Sequence, residues 1–483
     1  MDEFLQRYPY KNKPFLHQEA YLTRFWEKRV AALFSEMGTG KSFMLINNMA
    51  MLYDQGQINA ALIIAPKGVY RNWMDTEIPK HMPDHVVYRT VLWSASPKKA
   101  ESQALENLFE ITEDFKILIM NVEALSTEKG VRFASRYLLA HEAFMAIDES
   151  TTIKTHTAAR AKNATKIGKQ AKFKRIMTGS PVTKNPLDLF QQCVFLDPRC
   201  LGHDSFYTFQ ARYAVMQERH LATHSFKQIL GFRHLEELRE KLDRFSFRVT
   251  KEECLDLPDK LYTKREVDLT EEQAKAYKEM RLMALAMFKE GDVSTVNALT
   301  QIMRLHQIVC GHVKLDNGDV LELPSNRIKE LLSIVEESDG KMIIWATYRH
   351  DIEAIKLALS SVYGMNSAAA YYGETETDKR QEIVNEFQDP NSPLRFFIGN
   401  PTTGGYGLTL TAANLVVYYS NSFDLEKRLQ SEDRAHRIGQ KNNVTYVDLY
   451  SPGTTDEMIF TALINKKSLA DEVLNEKWRT WMK

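Results

Sequence analysis

The sequence predicts an α/β protein built from two tandem doubly wound parallel-sheet lobes, and three observations support this prediction. Short apolar runs rich in β-branched residues alternate with amphipathic stretches, which is typical of parallel strands joined by helices. This alternation occurs twice, on either side of a charged, helix-prone region from about residue 200 to 325. A chain of 483 residues is also too long for one compact core.

The apolar runs give the predicted strands in chain order. The first lobe should contain strands in "AALFSEM" (31–37), "ALIIAP" (61–66), "ILIMN" (117–121), "FMAID" (144–148) and "RIMTGS" (175–180). The second lobe should contain "KMIIWAT" (341–347), "RFFIGN" (395–400), "NLVVYYS" (414–420) and "VTYVDLY" (444–450). We place the first lobe at 1–255, with a helical insertion from about 200. The second lobe, at 256–483, carries a helical protrusion at about 270–325 and a C-terminal helical brace at about 455–483.

Composition restricts the class of protein. Lysine plus arginine equals aspartate plus glutamate at 63 each, so a nucleic-acid site would have to be a local basic groove. The N-terminus lacks an apolar signal segment, and no apolar run reaches the roughly 20 residues that span a bilayer. The cysteines lack the C-x-x-C spacing of zinc sites and are typical of reduced thiols: Cys193, Cys200, Cys254 and Cys310. We therefore predict a cytoplasmic protein with no membrane partner and no zinc.

The stretch "SEMGTGKS" (35–42) follows the first predicted strand and precedes a helix-like segment. Glycines there allow backbone N–H groups to approach phosphate oxygens at a helix N-terminus. Ser35 departs from the strict G-x-x-x-x-G-K-[ST] pattern, in which a glycine occupies that position. We predict that a nucleotide binds here, with Lys41 on the β- and γ-phosphates and Ser42 on Mg²⁺. The cofactor-binding residues of this loop would be Gly38, Thr39, Gly40, Lys41 and Ser42.

Asp148 and Glu149 follow the strand "FMAID", at the carboxyl edge of the predicted sheet. Ligands of open α/β sheets bind at that edge. An acidic pair at a strand end is commonly only a solvated turn, but its position in the same lobe as Lys41 favours a functional site. We predict that Asp148 binds Mg²⁺ and that Glu149 orients or deprotonates the attacking water.

The stretch "QSEDRAHRIGQ" (430–440) allows two interpretations. If it is helical, Gln430, Arg434 and Arg437 fall at i, i+4 and i+7 and point from one face, as a catalytic arginine site would need. Alternatively, Asp433 and Arg437 form a surface ion pair worth roughly 0.2–1 kcal/mol. The phosphate-binding stretch 35–42, here called the lysine loop, would give an arginine face a partner.

Taken in order, these motifs resemble helicase superfamily two and, within it, the SWI/SNF-type DNA translocases. The resemblance rests on "FLHQ", "EMGTGKS", "APKGVYRNW", "AIDESTTIK", "MTGSPVTKN", "GGYGLTLTAAN" and "QSEDRAHRIGQ". It is strengthened by the linking segments "KEECLDLP" and "QIMRLHQIVCGH". The chain is most similar to compact, stand-alone members from bacteria and their viruses. The resemblance implies two RecA-like lobes that use ATP and Mg²⁺.

The resemblance also implies roles for individual residues. Gln18 would contact adenine, and Gln430, Arg434 and Arg437 would be catalytic, with the arginines reaching the γ-phosphate. The residues implied in DNA binding are Lys67, Asn72, Thr178, Tyr348, Gly405 and Thr409. Trp73 lies in the DNA-facing segment but is equally compatible with the core. The arginine that the family usually carries before its glycine loop is Thr402 here, which weakens the expected DNA contact at that position.

The implied activity is ATP-driven movement along DNA, double-stranded or branched, through backbone contacts that carry little sequence preference. Such a motor would remodel DNA structures or protein–DNA complexes, associated with the nucleoid or, for a viral enzyme, in the host cytoplasm. One alternative is a conventional helicase that separates strands of DNA or RNA. A second is a catalytically silent DNA-binding module with a vestigial nucleotide site.

Overall fold

The computed structural model describes residues 3–220, 225–289, 295–315, 317–404 and 408–474. The chain divides into two compact units, principally residues 1–256 and 257–467. Each unit is built around its own parallel sheet. Within the described residues, no helix is both long and apolar enough to cross a membrane.

The first unit contains a seven-stranded parallel sheet and a separate antiparallel hairpin. Its strands are β1 Val30–Leu33, β2 Ala60–Ala65, β3 Tyr88–Leu92, β4 Phe115–Asn121, β5 Ala143–Asp148, β6 Phe173–Met177, β7 Ala214–His220, β8 Ser225–Phe232 and β9 Ser246–Phe247. The order in the sheet is β3-β4-β2-β5-β6-β1-β9, and β7 pairs with β8 in the hairpin.

Helices surround this sheet. They are α1 Glu3–Gln6, α2 Leu16–Phe25, α3 Lys41–Asp54, α4 Tyr70–Asn72, α5 Ile78–His81, α6 Lys99–Asn107, α7 Glu128–Ala140, α8 Ala159–Gly168, α9 Leu189–Leu196, α10 Phe206–Tyr213, α11 Leu235–Asp243 and α12 Lys251–Cys254. A π-helical turn, Trp73–Glu77, joins α4 to α5, and 3₁₀ turns lie at Val122–Ser126, Ser150–Ile153 and Pro186–Asp188.

The central strands are apolar on both faces because helices cover both sides of a parallel sheet. In β2, Leu62 and Ile64 pack into one hydrophobic cluster, whereas Ala61 and Ile63 pack into the other. All six residues of β2 are buried. This double burial is the reason that the middle strands appear in the sequence as unbroken apolar runs.

The second unit contains a six-stranded parallel sheet, with the order β10-β17-β16-β13-β15-β14, and a small antiparallel pair, β11-β12. Its strands are β10 Lys260–Glu266, β11 His312–Lys314, β12 Val320–Glu322, β13 Lys341–Trp345, β14 Ala368–Tyr371, β15 Phe396–Gly399, β16 Ala413–Tyr418 and β17 Val444–Tyr450. The remaining helices are α13 Glu271–Lys289, α14 Thr295–Cys310, α15 Arg327–Glu336, α16 Arg349–Tyr363, α17 Thr377–Gln388, α18 Pro401–Gly404, α19 Leu425–Glu432 and α20 Thr455–Leu474.

The predicted fold class, two tandem RecA-like doubly wound parallel-sheet lobes with inserted helices, is confirmed. The region from about 200 to 325 is nevertheless not wholly helical, as the sequence suggested. It includes the hairpin β7–β8, the edge strand β10 and the pair β11–β12, alongside the predicted helices α13 and α14. The predicted C-terminal brace corresponds to α20 as far as Leu474, and its remainder lies outside the described residues.

The condition under which Gln430, Arg434 and Arg437 would share one helix face, a helix through 430–440, is not met. Helix α19 ends at Glu432, where Asp433 forms the C-cap, and the following residues make turns. Gly439 has a φ of 102°, which an α-helix does not allow. Arg434 and Arg437 therefore lie in a loop, and the helical spacing does not explain their positions.

Candidate functional site

The lysine loop lies between β1 and α3, as predicted. Gly38 and Gly40 have φ values of 82° and 85°, in the left-handed region that glycine enters without strain. Gly40 is the N-cap of α3, and Lys41 is the first residue of that helix. The loop therefore ends at the N-terminus of a 14-residue helix. Backbone N–H groups and the helix dipole favour the binding of an anion at such a position.

The ammonium group of Lys41 lies against its own loop. Its Nζ atom donates to the carbonyl oxygens of Ser35 at 2.9 Å and Glu36 at 3.1 Å, and the side chain is buried. Thr39 closes the same turn by donating from its hydroxyl to the oxygen of Glu36, at 2.8 Å. A buried ammonium needs such partners, so the loop fixes a positive charge beside the helix N-terminus.

Gln18, the predicted adenine contact, packs directly on the loop. Its Nε2 atom donates to the oxygen of Thr39 at 3.3 Å, and its Oε1 atom accepts from the backbone N–H of Phe15 at 2.9 Å. His17 adds a contact that the sequence did not predict, between Nε2 and the same Thr39 oxygen at 2.7 Å. A Cβ atom on Gly40 would lie 2.2 Å from Gln18 Nε2, so a side chain at this position would displace the Gln18 amide.

Asp148 and Glu149 form a connected pair at the end of β5. The Oδ1 atom of Asp148 accepts the backbone N–H of Glu149 at 2.9 Å. Glu149 has a φ of 47°, which is uncommon for a residue other than glycine and costs energy that functional sites often carry. Thr178, at the end of the neighbouring strand β6, donates from its hydroxyl to Glu149 Oε2 at 3.0 Å. The carboxylates of Asp148 and Glu149 are therefore both held by hydrogen bonds.

Trp73 supplies the second oxygen contact of Asp148. Its indole Nε1 atom donates to Asp148 Oδ2 at 2.9 Å, and its side chain is only 2% exposed. Burial raises the pKa of Asp148, while this hydrogen bond and the positive charge of Lys41 act in the opposite direction. The sequence left open whether Trp73 belongs to the core; it is buried and also contacts the site.

The donor chemistry of this site fits Mg²⁺. Asp148 offers a carboxylate, and Ser42 offers a hydroxyl from the first turn of α3. Both are hard oxygen donors, and Mg²⁺ is commonly bound by one or two such groups together with phosphates and water. Across the part of the chain that the structure describes, no three His, Cys, Asp or Glu side chains form a dedicated metal cluster. Asp148 and Ser42 therefore carry donor groups of the kind that Mg²⁺ prefers.

In the second unit, the two predicted catalytic arginines converge without a helix. Arg434 Nη1 lies 3.4 Å and Arg437 Nη1 lies 3.0 Å from the backbone oxygen of Leu408. Arg434 also donates from Nε to the oxygen of Gln430 at 2.9 Å. The Gln430 side chain is buried, and its Nε2 atom donates to Glu426 Oε1 at 3.2 Å.

Hydrogen bonds and an ion pair from other residues fix the loop 433–440, here called the arginine loop. Gln440 donates from Nε2 to three backbone oxygens, including that of Ala413 at 2.9 Å. His436 Nε2 lies 2.7 Å from the oxygen of Pro258. Asp433 Oδ1 lies 3.5 Å from Lys260 Nζ, so this acid contacts a cation that the surface ion-pair interpretation did not include. The fixed loop leaves both arginines directed towards the segment that contains Leu408.

A buried ionic network, which no local sequence pattern indicates, supports the start of this loop. Arg428 donates to both oxygens of Asp448, at 2.5 and 3.0 Å, and to Glu432 Oε1 at 2.9 Å. Glu432 also accepts from Tyr262 at 2.8 Å and pairs with Lys260 at 3.2 Å. Burial raises the pKa of Glu432, but the charges of Lys260 and Arg428 outweigh it and place the pKa below its ordinary value.

The predicted DNA-contacting residues of the first unit differ in exposure. Lys67 and Asn72 are exposed, and Asn72 donates from Nδ2 to Glu77 Oε1 at 3.2 Å. Thr178 is 1% exposed, and its hydroxyl contacts Glu149. An effect of Thr178 on DNA would therefore have to pass through Glu149 or the adjoining loop.

The predicted DNA-contacting residues of the second unit are less completely described. Tyr348 is half-buried, and its hydroxyl lies 2.9 Å from Nδ1 of His306 on α14. Thr409 is half-buried beside the segment that the arginines contact. Gly405 lies outside the described residues. Tyr348 thus connects the inserted helices to the lobe, a position that its sequence motif did not reveal.

Comparison with known protein families agrees with this arrangement. Residues 17–314 match the SNF2-related domain, and residues 325–439 match the helicase conserved C-terminal domain. The chain belongs to the SNF2-related family. The matched ranges contain both the lysine loop with its carboxylate pair and the arginine loop up to Gly439.

Among relatives of this SNF2-related chain is an uncharacterized ATP-dependent helicase of Mycoplasma genitalium, 28% identical over 92% of the chain and 40% of the relative. Another is the ISWI chromatin-remodeling complex ATPase CHR11 of Arabidopsis thaliana, 24% identical over 94% of the chain and 42% of the relative. The chain thus spans about two fifths of the length of these relatives. A solved Sulfolobus solfataricus SWI2/SNF2 ATPase core in complex with dsDNA aligns over 98% of the chain and 95% of its own length, with 24% identity and a TM-score of 0.43.

Proposed function

We propose that this SNF2-related chain is a DNA-dependent ATPase that moves along duplex DNA and remodels DNA structures or protein–DNA complexes. The observation that carries this proposal is the connected site of the first unit, where Lys41, Asp148 and Glu149 are each held by hydrogen bonds. The names of its relatives, an ATP-dependent helicase and a chromatin-remodeling ATPase, support the same activity. Residues 1–255 would form the ATP-binding lobe and residues 256–483 the C-terminal helicase lobe.

Each predicted nucleotide-site residue of the first unit has a role in this proposal. Gln18 contacts the adenine, and the loop Gly38–Ser42 surrounds the phosphates, with Lys41 neutralising their charge. Ser42 and Asp148 hold Mg²⁺, which would screen the phosphate charge and orient the γ-phosphate when bound. Glu149 orients the attacking water and accepts its proton, a task that its hydrogen bond from Thr178 prepares by fixing the carboxylate.

Arg434 and Arg437 supply positive charge to the γ-phosphate as charge shifts in the transition state, and Gln430 positions Arg434 through its backbone oxygen. Arginines in this role accelerate phosphoryl transfer by about 10³ to 10⁵. Convergence of the two guanidinium groups on one backbone oxygen supports a shared target. A surface ion pair alone would not require that arrangement.

DNA would be gripped by its backbone, through Lys67, Asn72 and Tyr348, with Thr178, Gly405 and Thr409 acting at or beside the contact. Such contacts position the protein without selecting a sequence. Duplex or branched DNA is the proposed track, because one relative of this SNF2-related chain is the chromatin-remodeling ATPase named above. A strand-separating helicase would use the same nucleotide site on single strands.

The test compares steady-state ATP hydrolysis with duplex DNA, single-stranded DNA and RNA, with the Lys41→Ala variant as the inactive control. We expect duplex DNA to stimulate hydrolysis most strongly. A third strand bound to the duplex should be displaced only in the presence of ATP. Greater stimulation by RNA would reject the proposed track, and equal, unstimulated hydrolysis by wild type and Lys41→Ala would reject the enzyme.

A further inference from the structure

We propose that Trp73 is a positioning residue: its indole N–H fixes Asp148, and through it Glu149, and so joins the exposed residues Arg71 and Asn72 to the carboxylate pair. The inference rests on the function proposed above. It goes beyond that function by naming the side chain through which contact at the protein surface would reach the metal-binding carboxylate. Trp73 is buried and bonded to Asp148, so its proposed role differs from that of an exposed DNA contact.

The indole of Trp73 contacts the carboxylate of Asp148 directly. The indole Nε1 atom lies 2.9 Å from Asp148 Oδ2, and the Trp73 side chain is 2% exposed. A buried tryptophan needs an acceptor for its N–H group, and a charged acceptor makes that hydrogen bond stronger than a neutral one. The bond therefore fixes the rotation of the Asp148 carboxylate as well as satisfying the indole.

The second step leads from Asp148 to Glu149. While Oδ2 of Asp148 accepts from Trp73, Oδ1 accepts the backbone N–H of Glu149 at 2.9 Å. That N–H belongs to a residue with a φ of 47°, a conformation that persists only when its surroundings hold it. If the indole bond were lost, the Asp148 carboxylate could rotate and release the Glu149 backbone. One indole N–H group thus helps to position both acids.

The third step leads outwards along the chain. Trp73 begins the π-helical turn Trp73–Glu77, and its two preceding neighbours, Arg71 and Asn72, are exposed. Pro79 accounts for the wide turn, because in a regular α-helix its ring would clash with the carbonyl of Asp75. π-turns are rare and concentrate at functional sites. We expect a ligand that shifts the backbone of Arg71 or Asn72 to act on the adjoining residue, Trp73, and through it on Asp148.

The experiment that tests this role removes the indole N–H group of Trp73 while keeping the shape of the side chain. Trp73 is replaced by 3-benzothienylalanine, which has the shape of tryptophan but carries sulfur in place of the N–H group. Trp26, buried in the same hydrophobic cluster, receives the same replacement as the matched control. For each protein we measure thermal unfolding, binding of ADP and of a non-hydrolysable ATP analogue at increasing Mg²⁺, and ATP hydrolysis with and without duplex DNA.

We expect both replaced proteins to unfold at nearly the wild-type temperature. The Trp73 replacement should raise the Mg²⁺ concentration needed for nucleotide binding by about tenfold, the lower end of the effect of losing a partner that orients a metal ligand. It should reduce stimulation by DNA more than it reduces hydrolysis without DNA. Nucleotide binding in EDTA and all properties of the Trp26 control should stay unchanged.

A second measurement uses the unaltered protein. In a sample with ¹⁵N-labelled tryptophan, the Trp73 indole resonance is identified by its absence after the replacement, and it should shift on addition of Mg²⁺–ADP and, separately, of duplex DNA. Suppose that wild type binds Mg²⁺–nucleotide and is stimulated by DNA, but that the Trp73 replacement changes neither property and the resonance does not shift. This result would overturn the role of Trp73 and leave the proposed function standing. Wild type that fails to bind Mg²⁺–nucleotide would overturn the proposed function and, with it, this inference.

Discussion

Arg434 and Arg437 donate to the same backbone oxygen, that of Leu408, at 3.4 and 3.0 Å, although the helix before them ends at Glu432. The two guanidinium groups therefore lie close to one acceptor and concentrate positive charge beside the segment that contains Leu408. The loop holds them there because Glu432 and Gln440 anchor its two ends in the second unit. This arrangement suits a site that receives an anion.

The first prediction concerns Arg437. Lysine cannot reproduce the planar fork of arginine on phosphate oxygens, so Arg437→Lys should be nearly as inactive as Arg437→Ala. DNA-stimulated turnover should fall by about 10³ or more in both variants, whereas DNA affinity without nucleotide should stay near wild type. Steady-state ATP hydrolysis and a DNA-binding titration measure the two effects.

Asp433→Ala is the matched control for Arg437. Asp433 contacts Lys260 at 3.5 Å, and losing that contact should lower the free energy of unfolding by about 1 kcal/mol or less without slowing turnover. Full turnover by Arg437→Lys would show that Arg437 is not catalytic and that the loop has only a structural role.

The second prediction separates phosphate binding from hydrolysis. Lys41→Ala should lose nucleotide affinity, because Lys41 provides the charge beside the N-terminus of α3. Glu149→Gln should bind ATP and DNA normally but turn over very slowly, since glutamine keeps the shape of the side chain but does not accept the proton of the water. Calorimetric nucleotide binding and single-turnover hydrolysis measure the two losses. Equal loss of ATP binding in both variants would contradict the assigned roles.

The central strands of both sheets could be predicted from the sequence because double burial makes them unbroken apolar runs. β5 is an example, with five of its six residues buried. The strands that the prediction missed lie at sheet edges or outside the sheets. β10, "KLYTKRE", has no fully buried residue and pairs with a single neighbour, so burial imposes no apolar pattern on it. The hairpin β7–β8 was missed for the same reason, since most of β7 is half-buried or exposed.

At the candidate site, residue types could be predicted but contacts could not. The lysine loop and the Asp148–Glu149 pair carry local patterns that report their chemistry. The Trp73–Asp148 bond joins residues 75 positions apart and depends on a π-turn, for which the sequence offers only Pro79 as a signal. The end of α19 is likewise not marked in the sequence, since neither proline nor glycine occurs between Glu432 and Gly439.

The third prediction concerns Gly40. A Cβ atom there would lie 2.2 Å from Gln18 Nε2 at a φ of 85°, so Gly40→Ala must displace Gln18 as well as strain the backbone. We expect nucleotide affinity to fall at least tenfold. Gly56→Ala is the matched control, since Gly56 has a φ of 62° with open space around its Cβ position. It should cost about 1–2 kcal/mol of stability from the backbone alone and leave nucleotide affinity intact. Equal nucleotide affinity in the two variants would show that contact with Gln18 is unimportant.

The fourth prediction concerns the network beneath the arginine loop. Glu432 is 1% exposed and contacts Lys260, Arg428 and Tyr262. Glu432→Gln would leave the buried Arg428 and the half-buried Lys260 with less compensation, and breaking a buried pair from one side typically costs about 3–5 kcal/mol. Urea unfolding at pH 7 should show this loss. Glu128→Gln, which removes one partner of an exposed pair with Arg132, should leave the urea midpoint unchanged.

The last prediction is the pH dependence of that network. Because the folded pKa of Glu432 lies below its ordinary value, its charge contributes stability that is fully present above the unfolded pKa of about 4.3 and is lost as pH falls through the folded pKa. The difference in unfolding free energy between wild type and Glu432→Gln should therefore be constant from pH 7 to about 5.5 and should shrink below pH 4.3 as the wild-type carboxylate takes up its proton. Urea titrations of both proteins between pH 7 and 3 measure this difference. A difference that grew on acidification would mean that Glu432 is protonated more readily in the fold than in the unfolded chain, and that Lys260 and Arg428 do not hold its charge.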